Sequence, residues 1–175
     1  GRAQGLVFEL SVALGGEVLA GAGMVGSASE GTKRIAAAIT SGAEAERFGR
    51  MIAAQGGPPG FVEQAARYLP QADVVLEVTA TDAGYVSAID GEALGLAVVS
   101  LGGGRQVETD VIDPAAGLSD IVALGCRIAP GDVLARVHAA RLEQAEVTAD
   151  RIRAAIRLSA GAPELAPLIC DRIMR

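Results

Sequence analysis

Between Leu6 and Leu19 the apolar residues recur at helical spacing on two stripes, Val7, Leu10, Leu14 and Val18 on one and Phe8, Val12 and Leu19 on the other. The spacing predicts a helix that is apolar nearly all round, which needs neighbours on every side. Those neighbours are expected upstream of Leu6. Ser27 and Glu30 stand at capping-box spacing and open a second predicted helix through Ile35 and Ile39 that Gly42 can close. Ser41 and Glu44 repeat the signal for a third helix through Phe48, Met51 and Ile52, closed by Gly56. Pro58 and Pro59 forbid continuation, and Phe61 to Leu69 makes a short fourth helix stopped by Pro70.

From Ala72 the period changes from helical to two. Val74, Leu76, Val78 and Ala80 face one way, and Val75, Glu77 and Thr79 the other, as in a half-buried strand. Thr81 to Gly84 is a turn and Tyr85 to Ile89 a second strand; Glu92 to Leu101 is a helix with Ala93, Leu96, Ala97 and Ser100 on one side. Leu118 to Leu124 and Val133 to His138 read as strands, with the turn Pro130-Gly131-Asp132 before the second. Arg141 to Ser159 returns to helix through Leu142, Ala145, Ala149, Ile152 and Ile156. Gly161 and Pro163 end it, and Pro167 to Met174 is left as an extended segment. The fold class is therefore α+β: a helical segment over residues 1–70 followed by an α+β domain over 71–175.

Composition narrows the possible partners. Half of the 175 residues are apolar, enough for a real core, but there is no Trp and there are only three Phe and two Tyr. A surface so poor in aromatic rings does not suit single-stranded nucleic acid. The formal net charge of -6 repels phosphodiester backbones and anionic lipid, so neither nucleic acid nor a membrane surface is expected as a partner. Leu6 to Val25, the longest apolar tract, is interrupted by Glu9, Glu17 and glycines and does not read as a membrane span. No basic segment precedes it, so no signal peptide is expected. Cys126 and Cys170 are too few for a disulfide framework and suit a reducing cytoplasm. The chain starts at Gly1 rather than Met, as a tag remnant or an internal fragment would.

Few residues carry candidate chemistry. Gly102-Gly103-Gly104 followed by Arg105 can turn backbone N–H groups and a guanidinium toward an anion, although the spacing fits neither a Walker nor a dinucleotide loop and equally fits a plain turn after the helix. His138, the only histidine, has no matching nucleophile and is expected at a strand end, facing a carbonyl or solvent. Glu108, Asp110 and Asp113 form a small acidic patch without the spaced ligands of a calcium loop, so no metal site is assigned. The segment GCRIAPGDVLARVH (125–138) has the turn-strand pattern of a biotinyl or lipoyl carrier domain. A carrier needs a lysine at a hairpin tip, and the only lysine, Lys33, falls in a predicted helix.

The segments RFGRMIAAQGGP (47–58), DAGYVSAIDGEALGLAVVSLGGGR (82–105), DVIDPAAGLSDIVALG (110–125), GDVLARVHA (131–139) and IRAAIRLSAGAPELAPLICDRI (152–173) resemble, in order and spacing, the thymidine and pyrimidine-nucleoside phosphorylase family. That resemblance covers Leu6 to the end. It implies that residues 1–70 close a central α/β domain and that 71–175 form a carboxy-terminal α+β domain of barrel-sandwich hybrid type. It also implies reversible phosphorolysis of a nucleoside, with inorganic phosphate and a pyrimidine nucleoside as substrates, no cofactor, and a homodimer formed through an amino-terminal part. The family's phosphate loop and base-contacting Arg, Ser and Lys set find no counterpart here, so no catalytic residue is assigned. Gly102, Gly103, Gly104 and Arg105 are the one stretch the resemblance links to the substrate cleft, as a wall. Without the facing surfaces that loop is expected to be loosely held. The alternative from another class is a stand-alone, non-catalytic structural or binding module with a barrel-sandwich fold.

Overall fold

The computed structural model describes residues 5–173. They group into two compact units: the residues up to Tyr68 together with those from Ala166 on, and Leu69–Leu165.

In the helical unit, α1 (Leu6–Gly21) packs on α2 (Ala28–Ser41), followed by α3 (Ala43–Ala54) and the single turn α4 (Ala65–Tyr68). The α1–α2 crossing is close because it is made by glycines. A Cβ on Gly31 would lie 2.5 Å from the Gly16 carbonyl oxygen, and one on Gly16 would lie 2.7 Å from the Ala28 carbonyl oxygen. Ser27 caps α2 by accepting from the Glu30 amide at 3.2 Å, and the Glu30 carboxylate reaches back to the Gly26 amide at 3.0 Å. This is the reciprocal pairing that the Ser27/Glu30 spacing predicts, displaced by one residue on the return arm.

The second signal of that kind has a different outcome. Ser41 is the last residue of α2, its hydroxyl donates to the Ala38 carbonyl at 3.1 Å, and Gly42, at φ 81°, both ends α2 and precedes α3. A left-handed glycine lets one helix follow another without an intervening extended cap. The fourth helix shrinks to Ala65–Tyr68, where Phe61 stacks on Tyr68 and meets Phe48 edge to face, ring centroids 6.2 Å from each. The residues from 166 to 173 form no strand; Met174 lies outside the described residues. Arg172 lies 2.6 Å from Glu17, an ion pair too poorly aligned to be a hydrogen bond, and gives the one charge on the inner half of α1 a counter-ion.

The Leu69–Leu165 unit is α+β. One antiparallel sheet has the order β1-β5-β3, from Val74–Thr79, Val133–Ala139 and Gly117–Ser119; the other has the order β4-β2-β6, from Arg127–Ile128, Gly84–Ile89 and Ile156–Ser159. Two helices, α5 (Gly91–Val98) and α6 (Leu142–Ala155), pack together and α6 covers β1 and β5. The inward face of α6 reads Ala145, Thr148, Ala149, Ile152 and Ala155. Small side chains let the helix axis approach the sheet, and Ile152 then fills the space between Val78, Val86 and Val137, all fully buried.

Three strand and helix assignments differ from the sequence pattern, each for a tertiary reason. Ile156 continues the apolar stripe of α6, so periodicity extends the helix to Ser159, but Ile156 to Ser159 pair with β2 instead, Ile156 opposite Ile89. A β-branched residue at a helix end gains more from a ladder and a core position than from one further helical turn. The predicted strand 118–124 is broken by Asp120, at φ 51°, leaving only Gly117–Ser119 paired with β5. In α5 the inner positions are Leu94, Ala97 and then Leu101, whereas Leu96, on the same side as Ala97 in the pattern, is 61% exposed. Among the described residues no helix is long and apolar enough to cross a membrane.

Candidate functional site

The glycine turn is built from α5 outward. Asp90 caps α5, its carboxylate accepting from the Ala93 amide at 3.0 Å. The helix then widens into a π-helical turn, Val99–Gly103, with Gly102 at φ 96°. That conformation is what a glycine permits and a side chain resists. The Gly102 carbonyl accepts from the Asp113 amide at 2.8 Å, and a Cβ on Gly103 would sit 2.8 Å from the Ala116 carbonyl oxygen. Residues 113–116 therefore pack directly on the glycines. The turn is tied into its own unit, in contrast to the loose loop that three consecutive glycines predict. The signal for this closure was present in Asp113-Pro114, a turn-initiating pair.

Arg105 follows the turn, exposed to solvent, with no ion pair or hydrogen bond among the described residues. The acidic patch beside it serves the backbone. Asp110 accepts from the amides of Gln106 and Val107 at 2.9 and 3.1 Å, and Asp113 from that of Ala115 at 2.9 Å. Among the described residues no group of three potential metal-ligating side chains is assembled. Val107 and Val111 stand outward between them, Val111 92% exposed. The segment thus offers a free cation and an apolar rim beside a rigid turn, without a nucleophile or a general base.

His138 is the last residue but one of β5, as the strand-end reading expects, and what its ring meets is a hydroxyl rather than a carbonyl. It sits within β5, between Val75 of β1 and Gly117 of β3, and its Nε2 is 2.8 Å from the Ser119 hydroxyl. Beside it Arg136 is clamped by Glu77 at 3.0 Å and Asp120 at 2.6 Å. The hydrogen bonds it donates to Glu77, and then to Asp120, hold its guanidinium above the ordinary arginine range. This ladder ties three strands together on a solvent-facing surface and is structural. Cys126 and Cys170 are exposed free thiols, and Lys33 is an exposed residue of α2.

Residues 85–159 match the model of the pyrimidine nucleoside phosphorylase C-terminal domain. Over 173 residues the chain is 38% identical to the thymidine phosphorylase of Agrobacterium fabrum (strain C58), which takes in 99% of this chain and 40% of that relative. The chain is thus similar to the carboxy-terminal part of a thymidine phosphorylase and spans about two fifths of the length of the curated relative it matches.

Proposed function

We propose that this chain is the carboxy-terminal portion of a thymidine phosphorylase, whose whole form converts thymidine and inorganic phosphate reversibly to thymine and 2-deoxyribose 1-phosphate. The observation that carries this reading is the ordered match to a thymidine phosphorylase across 99% of the chain. A phosphate oxygen forms a bond to C1′ as the C1′–N1 bond breaks, and the bonding pair leaves with the base. Alignment of phosphate with C1′ and stabilisation of the charge on the base do most of the work. The residues here supply neither, so those donors are assigned to an upstream segment of the whole protein, which also carries the contacts of a homodimer in the cytoplasm.

Within this division, residues 1–70 close the central α/β domain and 71–175 form the carboxy-terminal domain. Gly102, Gly103, Gly104 and Arg105 are a wall of the substrate cleft. The free guanidinium of Arg105 supports that role, since it faces solvent beside a rigid turn and is spent on nothing inside the unit.

The test is phosphate-dependent release of thymine from thymidine. The purified 175-residue chain is expected to give none, and the same chain preceded by its upstream segment to turn over. Thymine release by the chain alone would overturn the division of labour. An intact gene encoding only this chain, inactive and well folded, would instead favour the stand-alone binding module.

A further inference from the structure

We propose that the side of α6 facing the π-helical turn is a binding site for a small oxyanion of the phosphate or phosphomonoester class. A cavity of about 280 Å³ opens there, between Ser100 of the turn and the first three turns of α6. Arg141, Gln144, Thr148 and Arg151 project into it from one helix face, at the spacing three, four and three residues that keeps side chains in register.

Four observations converge on an anion. Arg141 and Arg151 have no carboxylate partner among the described residues, whereas Arg153 on the same helix pairs with Asp150, in a chain whose formal net charge is -6. Arg151 is nonetheless fixed in place. It donates to the Ser100 hydroxyl at 2.9 Å, and that hydroxyl donates to the Ala97 carbonyl at 2.8 Å, so the guanidinium is oriented without being neutralised. The amino-terminal end of α6 has no side-chain cap, which leaves its first-turn amides and the positive end of its dipole free.

Thr148 adds the fourth and most telling observation. Only 2% of this residue is exposed, yet its hydroxyl has no hydrogen-bond partner among the described residues and lines the cavity. A helical threonine can bond back to the carbonyl four residues earlier; this hydroxyl does not, and is left to bond into the cavity. An acceptor oxygen held between the two guanidinium groups completes it. Glu143 on the rim opposes binding but leaves the cavity cationic by one charge.

The site does not depend on the phosphorylase reading and is tested on the chain itself. Orthophosphate and glycerol 1-phosphate are titrated separately at constant ionic strength into isotope-labelled protein, with amide shifts read at Ser100 and from Leu142 to Thr148. Saturable, localised shifts in the millimolar range are expected, and the tighter ligand identifies the source. Arg141→Gln and Arg151→Gln should each weaken binding about tenfold and Thr148→Val about threefold, while Glu143→Gln should tighten it about twofold. Arg141 and Glu143 are exposed, so their variants stay informative even where Thr148→Val fails to fold. Shifts that sodium chloride reproduces, or affinity unchanged in both arginine variants, would show that the cavity is not an anion site. Failure there would leave the thymidine assay untouched, and an inactive enzyme would leave this titration untouched.

Discussion

The two units use the same aliphatic alphabet and bury it very differently. In the Leu69–Leu165 unit the apolar residues of β1, β5 and α6 close on one another, and Val78, Ala135, Val137, Ala139 and Ile152 are wholly enclosed. In the helical unit Val12 is the single apolar side chain among the described ones that is buried, while Val7 and Val18 of the same helix are 81% and 69% exposed. Burial does not follow from apolarity. It follows from having an element on each apolar side, which two sheets and two helices provide and one α1–α2 pair does not. The helical unit is held instead by backbone proximity at Gly16 and Gly31 and by caps.

The sharpest way to break this comparison is to truncate a buried aliphatic side chain to alanine in each unit. Ile152→Ala leaves a cavity in a closed core and should cost about 3 to 4 kcal/mol, whereas Val12→Ala, with α1 open on its other sides, should cost about 1 kcal/mol. Urea denaturation of the two variants, followed by helix and sheet signals separately, reads both. Equal losses would mean that the helical unit has a core after all.

Gly31→Ala comes next. Alanine is the better helix former by about 1 kcal/mol, but its Cβ would lie 2.5 Å from the Gly16 carbonyl oxygen, against rigid backbone. Overpacking of that kind costs about 1 to 3 kcal/mol, so the net expectation is a loss of up to about 2 kcal/mol with the helices pushed apart. A gain in melting temperature would show that the helices adjust freely and that their close crossing is incidental.

Ser27→Ala removes the α2 cap and should cost about 1 kcal/mol. Amide exchange should show the loss confined to α2 and α3, with β5 and α6 unchanged. Uniform loss of protection would indicate a single cooperative unit.

The smallest effect is expected at Arg105. In the whole protein, Arg105→Ala should weaken substrate or phosphate affinity by at most about 1 kcal/mol, the scale of one exposed charged contact, and leave the melting temperature unchanged. Unchanged kcat/KM with a lowered melting temperature would make the arginine structural.

Much of the fold was legible in the chain. The α1 stripe, the Ser27 cap, Gly42 as a helix terminator, the alternation of Val74 to Ala80 and the Pro130-Gly131-Asp132 turn all rest on interactions within a few residues, and those the sequence states directly. The family resemblance was legible too, through ordered segments. The candidate wall Gly102 to Arg105 was visible as composition, but its rigidity was not, because the Asp113 amide and Ala116 carbonyl that fix it come from beyond the turn. The cluster of Ser100, Arg141, Thr148 and Arg151 left no local mark at all.

What the sequence determined by itself was therefore the set of local choices: helix period, strand period, caps, turns, an aliphatic core and a net negative charge. Tertiary structure decided where competing local choices end. It took Ile156 out of α6 and into β6 by pairing it with Ile89, and it turned Leu94 rather than Leu96 inward. It also seated His138 beside Ser119, and grouped the residues from Ala166 on with the helical unit. The physical reason is common to all four. Where two conformations of a short segment differ by little in local free energy, a partner distant in sequence supplies the ladder, the packing or the counter-charge that selects one, and no window of neighbouring residues contains that partner.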